Sequence, residues 1–408
     1  MYDTKELKEK ATGAVAKKAA LGPDISLDQY TQTLVPHEYL TDEALRQLPQ
    51  EVKQRLIMAG VDVLEKDRSG TYFQQDTSVV HCDTMQKGIE VIPIRVALEK
   101  YDWVRDYYWK LVAVDADKYT AAAELELHDG YVIRALPGIK STHPVQACLY
   151  LDKEGLQQNV HNLIIAEEDS ELHIITGCST APHTKRGLHV GISEFFVKKN
   201  AKLSFTMIHN WAEDMYVRPR SVARVEEGGI FLNNYICMKP VRSLQMYPTT
   251  HLVGRDSVAR FYSIIVGSPG SEYDVGGRIF LKEKGCRAEI IARAISNGGT
   301  IISRGDLIGE VPDIKAHLEC RGLIRNGGLI HAIPELRGLV DGVEMSHEAA
   351  VGKIAQEEIA YLMSRGLSEQ EATSTIVRGF LSVDIPGLPP PLKAEIDRAI
   401  EESDKNIL

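Results

Sequence analysis

The sequence predicts a mainly β fold, a solenoid such as a parallel β-helix, set between helical regions at the two ends. Three observations predict it. Over about 250 residues, short runs rich in β-branched and aromatic residues follow one another, with few helix-length patterns between them. Turn clusters built on Gly, Asn and Asp close these runs, and most of the clusters recur about every 27–31 residues. The tight hairpin signals of a sandwich or barrel, the competing architecture, are weak here, which favours coils stacked one on the next.

The chain divides into residues 1–87 (N-terminal helical region and linker), 88–345 (the β-helix core) and 346–408 (C-terminal helical region). Residues 5–20 are rich in Ala, Lys, Glu and Leu, all good helix formers, and stop at Gly22-Pro23. A second helix starts with Pro49 in its first turn, runs through Val52, Leu56, Ile57 and Met58, and ends at Gly60. In the core, residues 172–176, 203–208, 230–232, 259–266 and 288–291 read as strands. Turn clusters are marked at 168–170, 199–201, 227–229, 254–256, 284–285, 297–299 and 326–328, the 297–299 cluster falling between two of the regular ones. Helix returns near the end. Ile354, Ile359, Leu362 and Met363 line one helix that stops at Gly366, and Ser368-x-x-Glu371 is a capping box opening another with Ala372, Ile376, Val377 and Phe380 on its apolar face. Pro386 and Pro389-Pro390-Pro391 then break the chain before a last charged helix over about 392–403.

Composition narrows the function. Lys and Arg number 47 against 57 Asp and Glu, a formal charge of −10, and no basic block offers a match to a phosphate backbone, so nucleic acid is not the expected partner. No apolar run reaches the roughly 18–20 residues that span a bilayer, and the opening residues lack a secretory pattern, so a cytoplasmic protein is expected. The six cysteines (Cys82, Cys148, Cys178, Cys237, Cys286 and Cys320) are widely spaced, with no Cys-x-x-Cys pair. Each reads first as a small buried hydrophobe. A phosphate loop, a Gly-x-Ser-x-Gly elbow and a His-Glu-x-x-His zinc helix are all absent; His347-Glu348 is followed by Ala349-Ala350-Val351. A scaffold or binding role is therefore favoured over an enzyme.

Three segments point further. The first is Gly177-Cys178-Ser179-Thr180-Ala181-Pro182 with Leu188-His189; the second is Ile208-His209-Asn210-Trp211. The third combines Glu319-Cys320-Arg321-Gly322, Ser346-His347-Glu348-Ala349, Tyr361-Leu362-Met363-Ser364-Arg365-Gly366 and Val377-Arg378-Gly379-Phe380. In this order they resemble the SufB/SufD family, scaffold proteins of the SUF iron–sulfur cluster assembly system, over about residues 105–381. The resemblance implies a right-handed parallel β-helix flanked by N-terminal and C-terminal α-helical regions. It implies a non-catalytic scaffold that takes persulfide sulfur from a cysteine desulfurase or other donor and builds a transient nascent iron–sulfur cluster on a dimer. A separate SufC-type ABC ATPase would dock on the C-terminal helices, at Tyr361, Arg365 and Phe380, and drive the process. Reduced flavin is a further cofactor proposed for the family.

Carried over residue by residue, Cys178 resembles the sulfur-entry cysteine. Alternation puts Leu172, Ile174, Thr176 and Cys178 on one strand face. A thiol titrating near ~8.5 needs cationic help to ionise at neutral pH, and His183, Lys185 and Arg186 are near in sequence; an inert buried thiol is the alternative. Cys320 resembles the cysteine that holds the cluster, thiolate being the natural ligand. His347 and Glu348 match the family's His-Glu-Ala segment. Because this chain carries Cys320, His347 and Glu348 together, a homodimer would build a mixed site across its twofold axis; pairing with a SufD-like chain is the alternative. Strict strand geometry sends His347 and Glu348 to opposite faces unless the chain turns there. His209 sits where the family often has Gln, and is read as core packing more than as part of a sulfur path. The cysteine motif that some SufB proteins carry near the N-terminus is absent.

Two rival functions have sequence signatures of their own. A β-helix enzyme acting on carbohydrate needs paired carboxylates, aromatic platforms and secretion, against an aromatic content of 7% here. An accessory subunit of an ABC-type transporter would be expected beside membrane-spanning segments.

Overall fold

The computed structural model describes residues 5–62, 67–239 and 241–381. Strands dominate it, and parallel sheets wind into a β-solenoid of about eight turns with helices near both ends. One sheet has 10 strands and the other 11. The first includes Val145–Leu151, Glu171–Thr180, Lys202–Asn210, Ile230–Cys237, Val258–Gly267, Arg287–Asn297, Ile314–Arg325 and Val343–Gly352, joined in that order. All the strand runs read from the sequence lie within these. Every marked turn holds a residue with positive φ: Asp169 at 59°, Asn200 at 54°, Gly228 at 64°, Asp256 at 57°, Gly285 at 76°, Gly298 at 99° and Gly327 at 75°. A left-handed residue turns the chain within a few positions, and Gly, Asn and Asp tolerate it best, so the regular turn spacing in the sequence is the number of residues in one coil.

The strands begin earlier than the helical N-terminal reading. Gly70–Gln75 pairs parallel with Val145–Leu151 and antiparallel with Ser78–Thr84, extending the first sheet backwards. The turn between these two strands is made by Asp76 at φ 50° without any glycine. Strand also continues later, to Gly352, so His347 and Glu348 lie on a strand rather than in a helix. The first helix, Lys5–Ala14, stops short of residue 20. Helix Gln50–Met58 forms as read, with Gly60 at φ 77° behind it. Helices Gln356–Ser364 and Glu369–Leu381 close the described chain. The capping box is present: Glu371 N–H donates to Ser368 Oγ at 3.2 Å, and Ser368 N–H to Glu371 Oε2 at 2.8 Å. The proline break and the last charged helix lie outside the described residues.

The main core fills the space between the sheets and includes Leu172, Ile174, Cys178, Phe205, Phe231, Ile290, Leu318 and Cys320. Outside, the apolar face of helix Glu369–Leu381 (Val377, Leu381, with Phe380) covers the outer face of the first sheet at Ile208, Ile236, Ile264 and Ile295. Leu45 and Leu56 from the N-terminal helices cover the same sheet further back, at Phe73, Cys148 and Tyr150. Across the outer face of the second sheet runs an N-terminal strap. Gly22 N–H donates to Asp274, Arg218 donates to the Pro23 carbonyl, Lys118 pairs with Asp24, and Arg186 donates to Gln29. Thr31 then bridges in parallel to Leu156. The strap thus touches coils from Leu156 to Asp274.

Candidate functional site

Cys178 stands near the end of strand Glu171–Thr180 and faces the solenoid interior, fully buried. Gly177 before it explains how the strand is braced. A Cβ at Gly177 would lie 2.5 Å from the Ala59 carbonyl oxygen, so only glycine lets the end of helix Gln50–Met58 rest against this strand. Among the described residues no cation serves the thiol: burial alone pushes its pKa upward. The help expected from His183, Lys185 and Arg186 does not reach it. His183 lies 3.7 Å from Asp152, Arg186 reaches Gln29 and the Tyr30 ring, and Lys185 faces an outside cleft.

His209 is the direct strand neighbour of Cys178, and Cys237 is the next residue along the same ladder. The His209 Nδ1 shares a hydrogen bond of 2.7 Å with the Tyr235 hydroxyl, while its Nε2 is buried without a partner. Burial, with His189 nearby, holds the imidazole pKa well below its ordinary value, so His209 is neutral. Cys237, which the sequence left as structural, is also a buried thiol, pushed up to about 12 by burial.

Cys320 sits on the ladder two residues away, opposite Ala292, which is opposite Ser263, which is opposite Tyr235. Five strand spacings separate the Cys178 strand from the Cys320 strand, roughly 24 Å. Between them lies a small cavity of about 30 Å³ lined by Tyr235, Ser263, Ala292 and Ser303, among others. That is room for about one water-sized occupant. Cys320 is 2% exposed. Burial raises its pKa, and a hydrogen bond with Ser303 acts in the opposite direction. Tyr235 and Ser303 went unnoticed in the sequence because only the coil register brings them to the line between the two cysteines.

His347 and Glu348 lie on Val343–Gly352, the outermost strand of the first sheet. His347 is opposite Leu318, Glu348 opposite Glu319, and Ala349 opposite Cys320. The register is unbroken, so His347 shares the interior face with Leu318 and Cys320 while Glu348 points outward. Outside, Glu348 is 3.7 Å from Arg321, which pairs with Glu319 at 2.6 Å, and Arg293 pairs with Glu319 at 2.8 Å. His347 and Glu348 are both exposed because nothing described lies beyond this strand. The fold therefore brings Cys320 and His347 to one face and leaves Glu348 on the other. Among the described residues, no three His, Cys, Asp or Glu side chains converge as a metal site.

On the C-terminal helices, Tyr361 is 59% exposed and Arg365 lies over its ring at 5.3 Å. Phe380 is half-buried against the outer face of the first sheet. No described helix is long and apolar enough to cross a membrane.

Residues 149–380 match the family model described as SUF system FeS cluster assembly, SufBD core domain. An iron–sulfur cluster assembly SufBD family protein of Methanothermobacter thermautotrophicus is 47% identical over 406 residues, covering 98% of each chain. Another, of Archaeoglobus fulgidus, is 52% identical over 357 residues, 87% of this chain and 96% of the relative. The iron–sulfur cluster assembly protein SufB of Bacillus subtilis is 29% identical over 389 residues, covering 92% and 83%.

Proposed function

The chain belongs to the SufBD family of the SUF iron–sulfur cluster assembly system, and on that premise we propose a cytoplasmic, non-catalytic scaffold that receives sulfur at Cys178 and assembles a nascent cluster at Cys320. In the first step Cys178 sulfur bonds to the outer sulfur of a donor persulfide. The donor's S–S bond breaks, and the donor leaves as a thiol carrying the Cys178 proton, with no net oxidation. A cysteine desulfurase is the expected donor. The interior line of His209, Tyr235, the small cavity and Ser303 supports a sulfur path to Cys320.

The observation that carries the reading is the position of Cys320: buried, one strand in from an open sheet edge whose last strand bears His347 on the same face. An unpaired edge is a template for a second chain, and Leu329, Leu339, Val340 and Val351 add exposed apolar surface there. A homodimer closing this edge supplies Cys320 and His347 from both chains. Glu348 joins them if the edge strand turns over on assembly. Because the Cys320 thiol is buried, iron reaches it after the edge opens. Helix Gln356–Ser364 follows directly on the edge strand, so a SufC-type ATPase docked at Tyr361, Arg365 and Phe380 has a lever on it. Reduced flavin forms no part of the proposal.

Anaerobic reconstitution with iron and sulfide tests the site. The wild-type chain with its ATPase is expected to develop a visible charge-transfer spectrum, and Cys320→Ala to lose it; an undiminished spectrum removes Cys320 from the site. Mass spectrometry after incubation with a desulfurase and cysteine is expected to find the added sulfur on Cys178.

A further inference from the structure

An open cleft of about 850 Å³ lies where the strands of Cys178, His209 and Cys237 end. Helix Gln50–Met58 contributes Arg55, the turn after the Cys178 strand contributes Lys185, and Trp211 and Lys239 follow the next two strands. Arg55, Lys185 and Lys239 form no ion pair among the described residues. Arg242, also on the wall, is neutralised by Asp214 at 2.7 Å, which leaves three cations against Glu213. Like charges collected without counterions are costly unless an anion joins them. Burial, then the charge of Arg55, holds the Lys239 pKa below its ordinary value.

A second, independent observation points inward from the cleft. Trp211, 1% exposed, lines it, yet its indole Nε1–H has no partner among the described residues. Thr180 Oγ1, two residues along the same strand from Cys178, and His209 Nε2, on the strand beside it, are likewise buried and unpartnered among the described residues. A buried polar atom left without a partner is unfavourable. Thr180 is two residues beyond Cys178 and Trp211 two beyond His209, so the unpartnered atoms lie at the strand ends between the cleft and the position of Cys178, where a polar guest would satisfy them.

We propose that this cleft is an anion-binding vestibule, held by Arg55, Lys185 and Lys239, that captures an anionic sulfur species, persulfide or polysulfide, for delivery past Trp211 to Cys178. The proposal rests on the sulfur-acceptor reading of Cys178 and adds the site that recruits its substrate. Arg55 comes from the N-terminal helix and Lys239 from the core, so the vestibule exists only when that helix is seated on the Cys178 strand.

Thiosulfate, a redox-stable sulfur anion, is the binding probe, titrated calorimetrically into the full chain. Sodium tetrasulfide, and separately cysteine with a desulfurase, are the sulfur sources, with the extra sulfur on Cys178 followed by mass spectrometry. Arg55→Glu and Lys239→Glu are expected to weaken thiosulfate binding at least tenfold and to slow sulfur loading of Cys178 by a similar factor; Lys8→Glu, on the exposed first helix, is expected to change neither. Arg55→Gln and Lys239→Gln keep the side-chain bulk and give the same direction if a charge reversal unfolds the chain. Slowing with tetrasulfide alone assigns free polysulfide as the guest, and slowing with the desulfurase alone assigns a carried persulfide. No thiosulfate binding by the wild-type chain, or variants within twofold of it in both assays, overturns the proposal. Charge-dependent thiosulfate binding with no sulfur ever found on Cys178 upholds the anion site and overturns the acceptor reading instead.

Discussion

Cys320 and His347 occupy the same face of adjacent strands, with His347 two residues before Ala349, the residue directly opposite Cys320. Standard strand spacing puts their Cα atoms about 8 Å apart. At that separation a thiolate and an imidazole can both reach a metal lying over the face they share. His347 is exposed, so its loss is expected to leave stability within about 0.5 kcal/mol.

The face arrangement yields the first prediction. His347→Ala is expected to lose most of the reconstituted cluster absorbance, whereas Glu348→Gln, on the opposite face beside Arg321, keeps at least half. Equal losses would show that the edge strand turns over when the cluster forms. Gel filtration of both variants checks that assembly is unchanged.

Acid should destabilise the chain through its interior imidazoles. Burial takes His189 down to about 3 and His209 well below its ordinary value. Both stay neutral when folded, so below about 6.5 the unfolded chain binds protons that the folded chain does not, and stability falls by roughly 1.4 kcal/mol per pH unit for each. Comparing urea midpoints at pH 7 and pH 5, His209→Gln is expected to recover about 2 kcal/mol of the loss. An unchanged difference between the two pH values would mean that His209 is protonated in the fold.

Glu194 anchors the covering of the second sheet. Its carboxylate accepts the Trp109, Leu111 and Val112 amides at 2.7, 2.5 and 3.0 Å, and His161 Nε2 lies 2.8 Å away. Glu194→Ala strands these buried donors and is expected to cost about 3–5 kcal/mol, measured by thermal unfolding. A cost under about 1 kcal/mol would mean that water replaces the carboxylate.

Partner binding should depend on the last helices. Truncation after Arg365 removes helix Glu369–Leu381 and is expected to abolish co-purification of the ATPase. Ser368→Ala, which deletes the cap, is expected to cost about 1 kcal/mol and to weaken that capture without abolishing it. Full capture by the truncated chain would place docking elsewhere.

The solenoid was legible because each coil ends in a left-handed turn, and left-handed turns select Gly, Asn and Asp. The pair Gly70–Gln75 and Ser78–Thr84 was not, because its turn at Asp76 carries no glycine and its strands are rich in polar residues. Cys178 and Cys320 stand out in the sequence by their motifs, and their inward direction by strand alternation. Neither motif nor alternation reports what stands across the coil. Tyr235 on His209, Ser303 on Cys320, and Arg55 beside Lys239 join residues far apart in sequence through the register of successive turns and the seating of one helix. Of the cations nearest to Cys178 in sequence none reaches the thiol, since a strand carries its following turn away from its own interior face, and Lys185 alone lines the cleft at the strand ends.

The N-terminal strap has a mechanical consequence. A stack of coils in which each rung touches only its neighbours can peel rung by rung. The crosswise stitches from Leu156 to Asp274 make the middle rungs yield together or stay shut together. Rungs beyond Asp274, including the one that holds Cys320, lie outside the strap and are bridged instead on the first sheet by helix Glu369–Leu381, which reaches from Ile208 to Leu323. How far that end can spread is therefore governed by the last helix and not by the strap.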